Sequence, residues 1–331
     1  MEIPVYIFTG ENGFICSSFI WKLNQESLHD IVCVDSVNIT QRPQLLAHAK
    51  YKKFLGENDL FDFIKTEYSK ISAVFHLGAC SETIDTNELF LEKNNTQYTN
   101  RLFELATKYS FPFVYASSGA VYGSGQSGFN DATPAENLKP LNLYGWSKLK
   151  SDIWIQNQHK NPPRWYGLRF FNVYGPNEYH KNNMRSLVHK AFEQNHDTGT
   201  LKLFKSYNPK YEDGKQMRDF VYVKDVVDWM WDLYKRDTFK SGIYNMGYGR
   251  ARTWLDLATA VFTSLNKPVN ITWIDMPDNI RNQYQYFTEA KMKRLLSQGL
   301  PSPKWSLESG ISDYVQNYLM QNEGYLQWLK S

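Results

Sequence analysis

The chain has 331 residues, with 37 Lys and Arg against 34 Asp and Glu and a formal net charge of +3. At roughly 150 residues per domain, this length predicts two domains. Hydrophobic residues make up 42% of the chain, which excludes a disordered or collagen-like protein. The small net charge argues against nucleic acid as the main partner. No stretch approaches the roughly 18 apolar residues of a membrane span, and the N-terminus lacks signal-peptide features.

Three scattered cysteines, Cys16, Cys33 and Cys80, are too few for a disulfide framework and lack the spacing of zinc ligands. A reducing compartment is the simpler interpretation. We therefore expect a cytoplasmic globular protein without a metal site and without a membrane partner.

The first half of the chain alternates short apolar runs with helical patterns. Apolar runs predict buried strands at 5–10, 30–35, 71–78, 112–118 and 164–175. The segments between them have helical spacing, through FIWKLNQ after the first strand and then at 58–68, 94–109 and 143–158. Strands alternating with helices in this way predict a parallel sheet with crossover helices.

After Pro176 the pattern loosens. The periodicity predicts helices at 184–195, 224–236, 253–265 and 307–320, strands at 201–204, 219–223 and 242–247, and an exposed loop at 206–216. We expect an α/β protein with a Rossmann-type doubly wound parallel sheet in residues 1–175, to which later segments cross back. A smaller α/β substrate-binding domain is expected mainly in residues 176–331.

A glycine-containing loop follows the first predicted strand and opens a helix. Gly10 and Gly13 would permit a tight turn and let the backbone approach a pyrophosphate at the helix N-terminus. Cys16 stands where the dinucleotide motif has its third glycine, and Glu11 places an acid beside the expected phosphates. Taken alone, the loop fits a cofactor site and an ordinary turn equally well.

Asp35 ends the second predicted strand, 25 residues after Gly10. An acid at this place can accept a hydrogen bond from the adenosine ribose, although a turn or cap residue is the alternative. Arg42 could bind a 2′-phosphate or could be a solvated charge. This stretch therefore leaves both NADP and NAD open.

The most informative pattern is Tyr144 with Lys148, four residues later on one helix face. The ammonium group is expected to lower the pKa of the phenol, so that the phenolate can take a hydroxyl proton while a nicotinamide takes the hydride. Ser118 follows a predicted strand about 26 residues earlier, where its hydroxyl could hold the substrate oxygen. Together and in this order, the three residues favour a dehydrogenase-type active site.

Several longer segments resemble one family closely. They are FHLGACSETID (75–85), EKNNTQYTNRLFELA (92–106), RFFNVYGPNEYHK (169–181), MRDFVYVKDV (217–226), YNMGYGR (244–250) and RNQYQYFTEA (281–290). The chain resembles an extended short-chain dehydrogenase/reductase of the nucleotide-sugar class, and within it the ADP-L-glycero-D-manno-heptose 6-epimerase family. This family inverts C6 of the heptose through a 6-keto intermediate, which requires a proton donor on each face. The resemblance gives these two roles to Tyr144 and to Lys181.

The resemblance also assigns binding positions. Cofactor positions, besides Gly10 and Gly13, are Phe14, Ile15, Asp35, Ser36, Arg42, Leu77, Gly78, Ala79, Cys80, Ser81, Asn94, Tyr144, Lys148, Val173 and Lys181. Substrate positions are Ser118, Asn172, Asn183, Lys190, Phe204, Lys205, Ser206, Tyr207, Arg218 and Tyr284. Arg218 is the best diphosphate clamp among them, with a salt bridge to Asp219 or Asp225 as the alternative. Cys80 is more simply a packing residue than a nucleophile.

The resemblance implies NADP, or else NAD, held tightly and recycled, and an ADP-heptose substrate. It also implies a homo-oligomer in a Gram-negative cytoplasm and a role in lipopolysaccharide core synthesis. Another nucleotide-sugar epimerase or reductase of the same fold is the alternative enzyme. A 4,6-dehydratase is disfavoured because Gly119, Ala120 and Val121 stand where an acidic pair would follow Ser118. A non-catalytic scaffold on this fold remains the alternative from another class.

Overall fold

The structure is a computed structural model that describes residues 4–36, 41–81, 87–281, 283–321 and 324–326. Its strands are β1 (Val5–Thr9), β2 (Ile31–Asp35), β3 (Lys53–Gly56), β4 (Ile71–His76), β5 (Phe113–Ser118), β6 (Trp165–Phe170), β7 (Asn172–Tyr174), β8 (Leu201–Phe204), β9 (Met217–Tyr222), β10 (Gly242–Met246), β11 (Ala251–Thr253) and β12 (Ile271–Ile274).

Its α-helices are α1 (Phe14–Gln25), α2 (Pro43–Leu46), α3 (Glu57–Glu67), α4 (Glu88–Leu91), α5 (Tyr98–Tyr109), α6 (Leu143–Gln156), α7 (Leu187–Thr198), α8 (Val223–Lys235), α9 (Trp254–Ser264), α10 (Asp278–Arg281), α11 (Lys293–Leu296) and α12 (Leu307–Tyr314). Two π-helical segments, Glu92–Gln97 and Val315–Leu319, adjoin α5 and α12. Helical 3₁₀ turns lie at Tyr68–Lys70, Gly119–Tyr122, Ala135–Asn137 and Tyr179–Met184. Across the described ranges, no helix is long and apolar enough to cross a membrane.

A parallel sheet of seven described strands has the order β3-β2-β1-β4-β5-β6-β10. The strand order reverses between β1 and β4, so a cleft opens there at the carboxyl edge of the sheet. Side chains alternate between two apolar layers. Ile7 of β1 packs on the face that includes α3 and α5, whereas its neighbour Phe8 packs on the face that includes α1 and α8. The predicted Rossmann-type α/β fold is confirmed.

The remaining strands form two smaller sheets. β7 pairs with β9 in parallel, β9 pairs with β11 antiparallel, and β8 pairs with β12 in parallel. A separate apolar core, which joins α7, α9 and α12, lies beneath them. The chain leaves the large sheet after β6, returns through α8 and β10, and leaves again. The division at residue 175 into a cofactor domain and a substrate domain stays a prediction, although the returning segments agree with it.

Candidate active site

The loop between β1 and α1 has the geometry of a dinucleotide site. Gly10 adopts φ +76°, and a Cβ there would lie 2.4 Å from the Cα of Gly78, so the β1 and β4 loops meet backbone to backbone. Gly13 precedes α1 and supplies no side-chain cap. The first amides of α1 are therefore open toward the cleft, where a pyrophosphate can accept their hydrogen bonds.

The substituted positions of this loop leave α1 intact. Cys16 is buried in the core, and α1 begins at Phe14 in spite of it, with the Ser17 amide bonded to the Gly13 carbonyl at 3.0 Å. Cysteine is small enough to preserve the close contact between helix and sheet. Glu11 is also fully buried, and burial together with the charge of Asp35 raises its pKa to about 9.

Asp35 lies at the end of β2, beside the glycine loop. Its Oδ2 accepts a hydrogen bond from the Asn12 amide at 3.2 Å, and Ser36 is exposed next to it. Arg42 donates through its guanidinium to the Asn12 carbonyl at 2.8 Å. The predicted adenosine-side residues thus gather around one loop.

The loop after β4 borders the cleft and is held by Asn95. The side-chain amide of Asn95 accepts from the Cys80 amide, donates to the Cys80 carbonyl and donates to Ser147 Oγ, at 2.9, 2.9 and 3.0 Å. Asn94, the predicted cofactor position, instead bonds the Phe90 carbonyl of its own helix. The π-helical segment decides which of the two asparagines faces the loop, since the extra residue in its turn directs Asn95 inward. Of the other predicted loop residues, Leu77 and Gly78 are half-buried and Ala79 and Ser81 are exposed.

Ser118 and Tyr144 meet at the carboxyl end of β5. Asn142 caps α6 by accepting from the Gly145 amide at 2.8 Å, which places Tyr144 in the first turn. A hydrogen bond from Ser118 favours the phenolate, but burial outweighs it and raises the pKa of Tyr144. In the chain alone, the pKa of Tyr144 is thus raised and not lowered, because burial removes the hydration of the phenolate.

Lys148 lies one turn further along α6 with its ammonium group fully buried. Burial lowers its pKa to about 8, while the charge of Asp152 opposes this shift. No side chain or backbone group in the described chain forms a hydrogen bond to its Nζ. A buried, unpartnered ammonium group beside the β4 loop is suited to the hydroxyls of a nicotinamide ribose.

Lys181 approaches the same cleft from the 3₁₀ turn after β7. Its Nζ lies 5.5 Å from the centre of the Phe14 ring at the start of α1. Burial lowers the pKa of Lys181, and the buried carboxylate of Glu178 opposes this. Its neighbour His180 has a pKa lowered to about 4 by burial and by the charges of Arg42 and Lys181, so this imidazole is neutral.

Arg218 is buried among aromatic rings on β9. Its guanidinium lies 5.0 Å from the ring centre of Tyr284 and 5.5 Å from that of Trp254. The alternative of a salt bridge is wrong. Asp219 instead accepts from the amides of Tyr248, Gly249 and Ala290, and Asp225 accepts from those of Lys304 and Trp305. One guanidinium nitrogen, Nη1, donates to the Met217 carbonyl at 2.9 Å. The guanidinium thus lies over two aromatic rings with one donor engaged, and its charge and other N–H groups are suited to a phosphate.

The other predicted substrate positions divide into two groups. Lys205 and Tyr207 both bond to Asp275, at 3.2 and 2.9 Å, and Arg281 lies 3.8 Å over the Tyr207 ring. Ser206 bonds within the same loop, and half-buried Phe204 precedes it. Asn172, exposed, begins β7, and half-buried Lys190 lies on α7. The predicted cofactor position Val173 follows Asn172 and is half-buried. The side chain of Asn183 lies outside the described residues. Sequence reasoning did not single out Trp254, which lies in no quoted motif, or Arg281, although Arg281 begins the family-like segment 281–290.

A Rossmann-type sheet with Ser118, Tyr144 and Lys148 at its cofactor edge defines the short-chain dehydrogenase/reductase class. Residues 6–247 match the model of the NAD dependent epimerase/dehydratase family. An ADP-L-glycero-D-manno-heptose-6-epimerase of Fusobacterium nucleatum is 43% identical, covering 97% of this chain and 99% of the relative. An enzyme of the same name from Nitratidesulfovibrio vulgaris is 42% identical, covering 97% of this chain and 100% of the relative. The Helicobacter pylori enzyme of that name has a crystal structure that superposes with a TM-score of 0.78 at 28% identity, covering 96% of each chain.

The chain therefore belongs to the NAD dependent epimerase/dehydratase family, among its ADP-L-glycero-D-manno-heptose-6-epimerases. Membership confirms the resemblance drawn from the sequence and makes the chain an epimerase that depends on a nicotinamide dinucleotide.

Proposed function

We propose that this chain interconverts ADP-D-glycero-β-D-manno-heptose and ADP-L-glycero-β-D-manno-heptose by oxidation at C6 and reduction from the other face. The observation that carries this proposal is the identity of 42–43%, over nearly the full length, with relatives of that name. Tyr144, in the first turn of α6, and Lys181, whose Nζ lies 5.5 Å from the Phe14 ring centre at the start of α1, support it, since the reaction needs a proton donor on each face of C6.

A nicotinamide dinucleotide fits the residues of the cleft. The backbone contact between Gly10 and Gly78 leaves no room for a side chain, the first turn of α1 is uncapped, and Lys148 Nζ is a buried donor without a partner in the described chain. When bound, this group supplies the reversible two-electron chemistry. We assign its pyrophosphate to the first turn of α1, its adenosine to Asp35, Ser36 and Arg42, and its nicotinamide ribose to Lys148. The resemblance predicts NADP, held tightly and recycled.

Proton transfer falls to two groups. Tyr144, hydrogen-bonded to Ser118, serves the C6 oxygen on one face of the sugar, and Lys181 serves it on the other. The lowered pKa of Lys181, caused by burial, supports this role, because desolvation favours the neutral amine that can accept a proton.

The nucleotide part of the sugar substrate is assigned to the aromatic group around Arg218. A guanidinium that lies over the rings of Trp254 and Tyr284 can bind two phosphate oxygens at once. Tyr207 lies near this group, because its amide donates to the Tyr286 hydroxyl at 3.3 Å and Tyr286 packs edge-on against Tyr284. The base is assigned to the Tyr207 ring, over which Arg281 lies.

The test is an NMR time course on ADP-D-glycero-β-D-manno-heptose with the purified protein and no added nucleotide. We expect the L-glycero epimer to accumulate to equilibrium. Tyr144→Phe and Lys181→Met should each reduce the rate by about a hundredfold or more while nucleotide stays bound. Tyr68→Phe and Lys160→Met, at exposed positions, are the matched controls.

Wild-type turnover in either active-site variant would contradict the two-base assignment. An unchanged sugar, with or without added NADP or NAD, would contradict the heptose substrate, and a screen of other nucleotide sugars would then separate another epimerase from a non-catalytic scaffold. The homo-oligomer, the cytoplasmic location and the lipopolysaccharide role stay predictions.

A further inference from the structure

The segment of residues 177–186, called the Lys181 turn below, is fixed at its start by Asn177. This side chain is 1% exposed, and its amide group bonds to two distant parts of the chain. Nδ2 donates to Ser17 Oγ of α1 at 3.2 Å, and Oδ1 accepts from the Leu326 amide at 3.0 Å. The backbone of Asn177 adopts φ +78°, a left-handed conformation that asparagine accepts more readily than most residues do.

The contact with Ser17 connects Asn177 to the residue against which Lys181 lies. Ser17 Oγ donates in turn to the Phe14 carbonyl at 3.1 Å. Phe14 begins α1, and its ring centre lies 5.5 Å from Lys181 Nζ. Two hydrogen bonds in series therefore fix the start of the Lys181 turn against the part of α1 over which the amine lies.

The end of the Lys181 turn is fixed by Glu178. Its carboxyl group is fully buried and accepts from the amide and from the hydroxyl of Ser186, both at 2.6 Å. Ser186 is the N-cap residue of α7. The Lys181 amide donates to the Glu178 carbonyl at 3.0 Å. Lys181 thus lies between two buried anchors, one on α1 and one on α7.

We propose that Asn177 is a positioning residue for epimerisation, which holds the Lys181 amine over the start of α1 through its hydrogen bond to Ser17. A proton-transfer group must lie about 3 Å from the atom that it serves. The lysine side chain is long and flexible, so the position of its amine depends on the backbone that carries it and on the surface beneath it. A displacement of about 1 Å can lower a rate about a hundredfold. The inference rests on the proposed role of Lys181.

Asn177→Gly tests the role of the side chain, because glycine keeps the left-handed backbone without strain. We expect kcat for epimerisation to fall about tenfold or more, while KM for ADP-D-glycero-β-D-manno-heptose stays at the wild-type value. The amount of nucleotide released on denaturation of the purified variant should also stay unchanged. A loss confined to kcat is the result of a displaced proton-transfer group, whereas general damage to the fold would also raise KM or release nucleotide.

Two neighbouring serines of α1 supply a matched pair of variants. Ser17 and Ser18 are both fully buried, and both hydroxyls donate to the Phe14 carbonyl, at 3.1 and 2.8 Å. The Asn177 amide donates to Ser17. Ser17→Ala should therefore reproduce the loss in kcat, and Ser18→Ala should keep the wild-type kcat. The double variant of Ser17→Ala with Asn177→Gly should be no slower than Asn177→Gly, since both changes remove the same contact.

Wild-type kcat in Asn177→Gly would overturn the inference, as would equal losses in Ser17→Ala and Ser18→Ala or a raised KM in Asn177→Gly. If Asn177→Gly does not fold, the comparison of the two serine variants decides the question. Lys181→Met separates this inference from the proposed function. Wild-type turnover in that variant would remove the role on which the positioning depends. A slow Lys181→Met beside a fast Ser17→Ala and a fast Asn177→Gly would leave that role standing and refute the positioning.

Discussion

Replacing Asp152 by asparagine removes one charge from an ion pair buried beneath the proposed active site. Asp152 Oδ2 accepts from Arg169 Nε at 2.9 Å and from Ser117 Oγ at 3.0 Å, and its Oδ1 accepts from the Tyr115 hydroxyl at 3.0 Å. The Asp152 side chain has no exposed area, and that of Arg169 is 1% exposed. Water therefore cannot replace the lost carboxylate.

The substitution keeps the volume of the side chain but leaves the Arg169 guanidinium without its counter-charge. Removal of one partner from a buried pair costs about 3–5 kcal/mol. The new amide also turns a donor toward groups that themselves donate. A second effect reaches α6, because the charge of Asp152 raises the pKa of Lys148, which burial holds at about 8. Without that charge, the pKa of Lys148 falls further.

Urea unfolding followed by tryptophan fluorescence measures the first effect. We expect Asp152→Asn to lose about 3–5 kcal/mol of unfolding free energy. Asp62→Asn, which breaks an exposed pair with Lys65 at 2.8 Å, should keep the wild-type midpoint. A loss for Asp152→Asn below about 1 kcal/mol, the level of an exposed pair, would refute the reasoning.

Three further predictions follow from the same geometry. Gly10→Ala should abolish nucleotide retention because of the contact with Gly78, whereas Gly128→Ala, at φ +72° with open space around it, should cost only about 1–2 kcal/mol of left-handed strain; equal retention in both variants would contradict the close approach. Lys148→Met should change the pH dependence of stability. The folded pKa is about 8 against 10.5 for the free side chain, so the wild type gains stability as the pH rises between these values, and the variant should lack that gain; parallel profiles from urea titrations would contradict it. Arg218→Lys should raise KM about tenfold at constant kcat, since the charge stays but the planar donor pair is lost. Arg250→Lys, at an exposed position, should leave both KM and kcat unchanged.

The sequence predicted the large sheet well, because its strands are continuous apolar runs bounded by polar turns. It missed β3, where Lys53 is exposed and only Leu55 is buried, so no apolar run marks the strand. It also joined β6 and β7 into one strand. The chain changes partner at Phe171, and β7 pairs with β9 of a different sheet, a choice that apolar content alone does not encode.

The sequence predicted those site residues that follow a motif, and it missed those whose direction depends on the local helix geometry. The spacing from Tyr144 to Lys148 fits an ordinary α-helix, and both residues lie on α6 as predicted. Asn94 and Asn95 are adjacent asparagines, and only the π-helical turn selects the second to hold the Cys80 loop. Trp254 reaches Arg218 through the pairing of β9 with β11, which lies far outside any local pattern.

Burial acts in opposite directions on the two proposed proton-transfer groups. It raises the pKa of Tyr144, since the phenol loses the hydration of its charged form, and it lowers the pKa of Lys181 for the same reason. In the chain alone, Tyr144 thus holds its proton and Lys181 is displaced toward its neutral form. A two-base epimerase needs one group that starts as an acid and one that starts as a base. One physical cause, desolvation of the cleft, therefore shifts both pKa values in the direction that the proposed roles require, and the charge of Glu178 opposes the shift at Lys181.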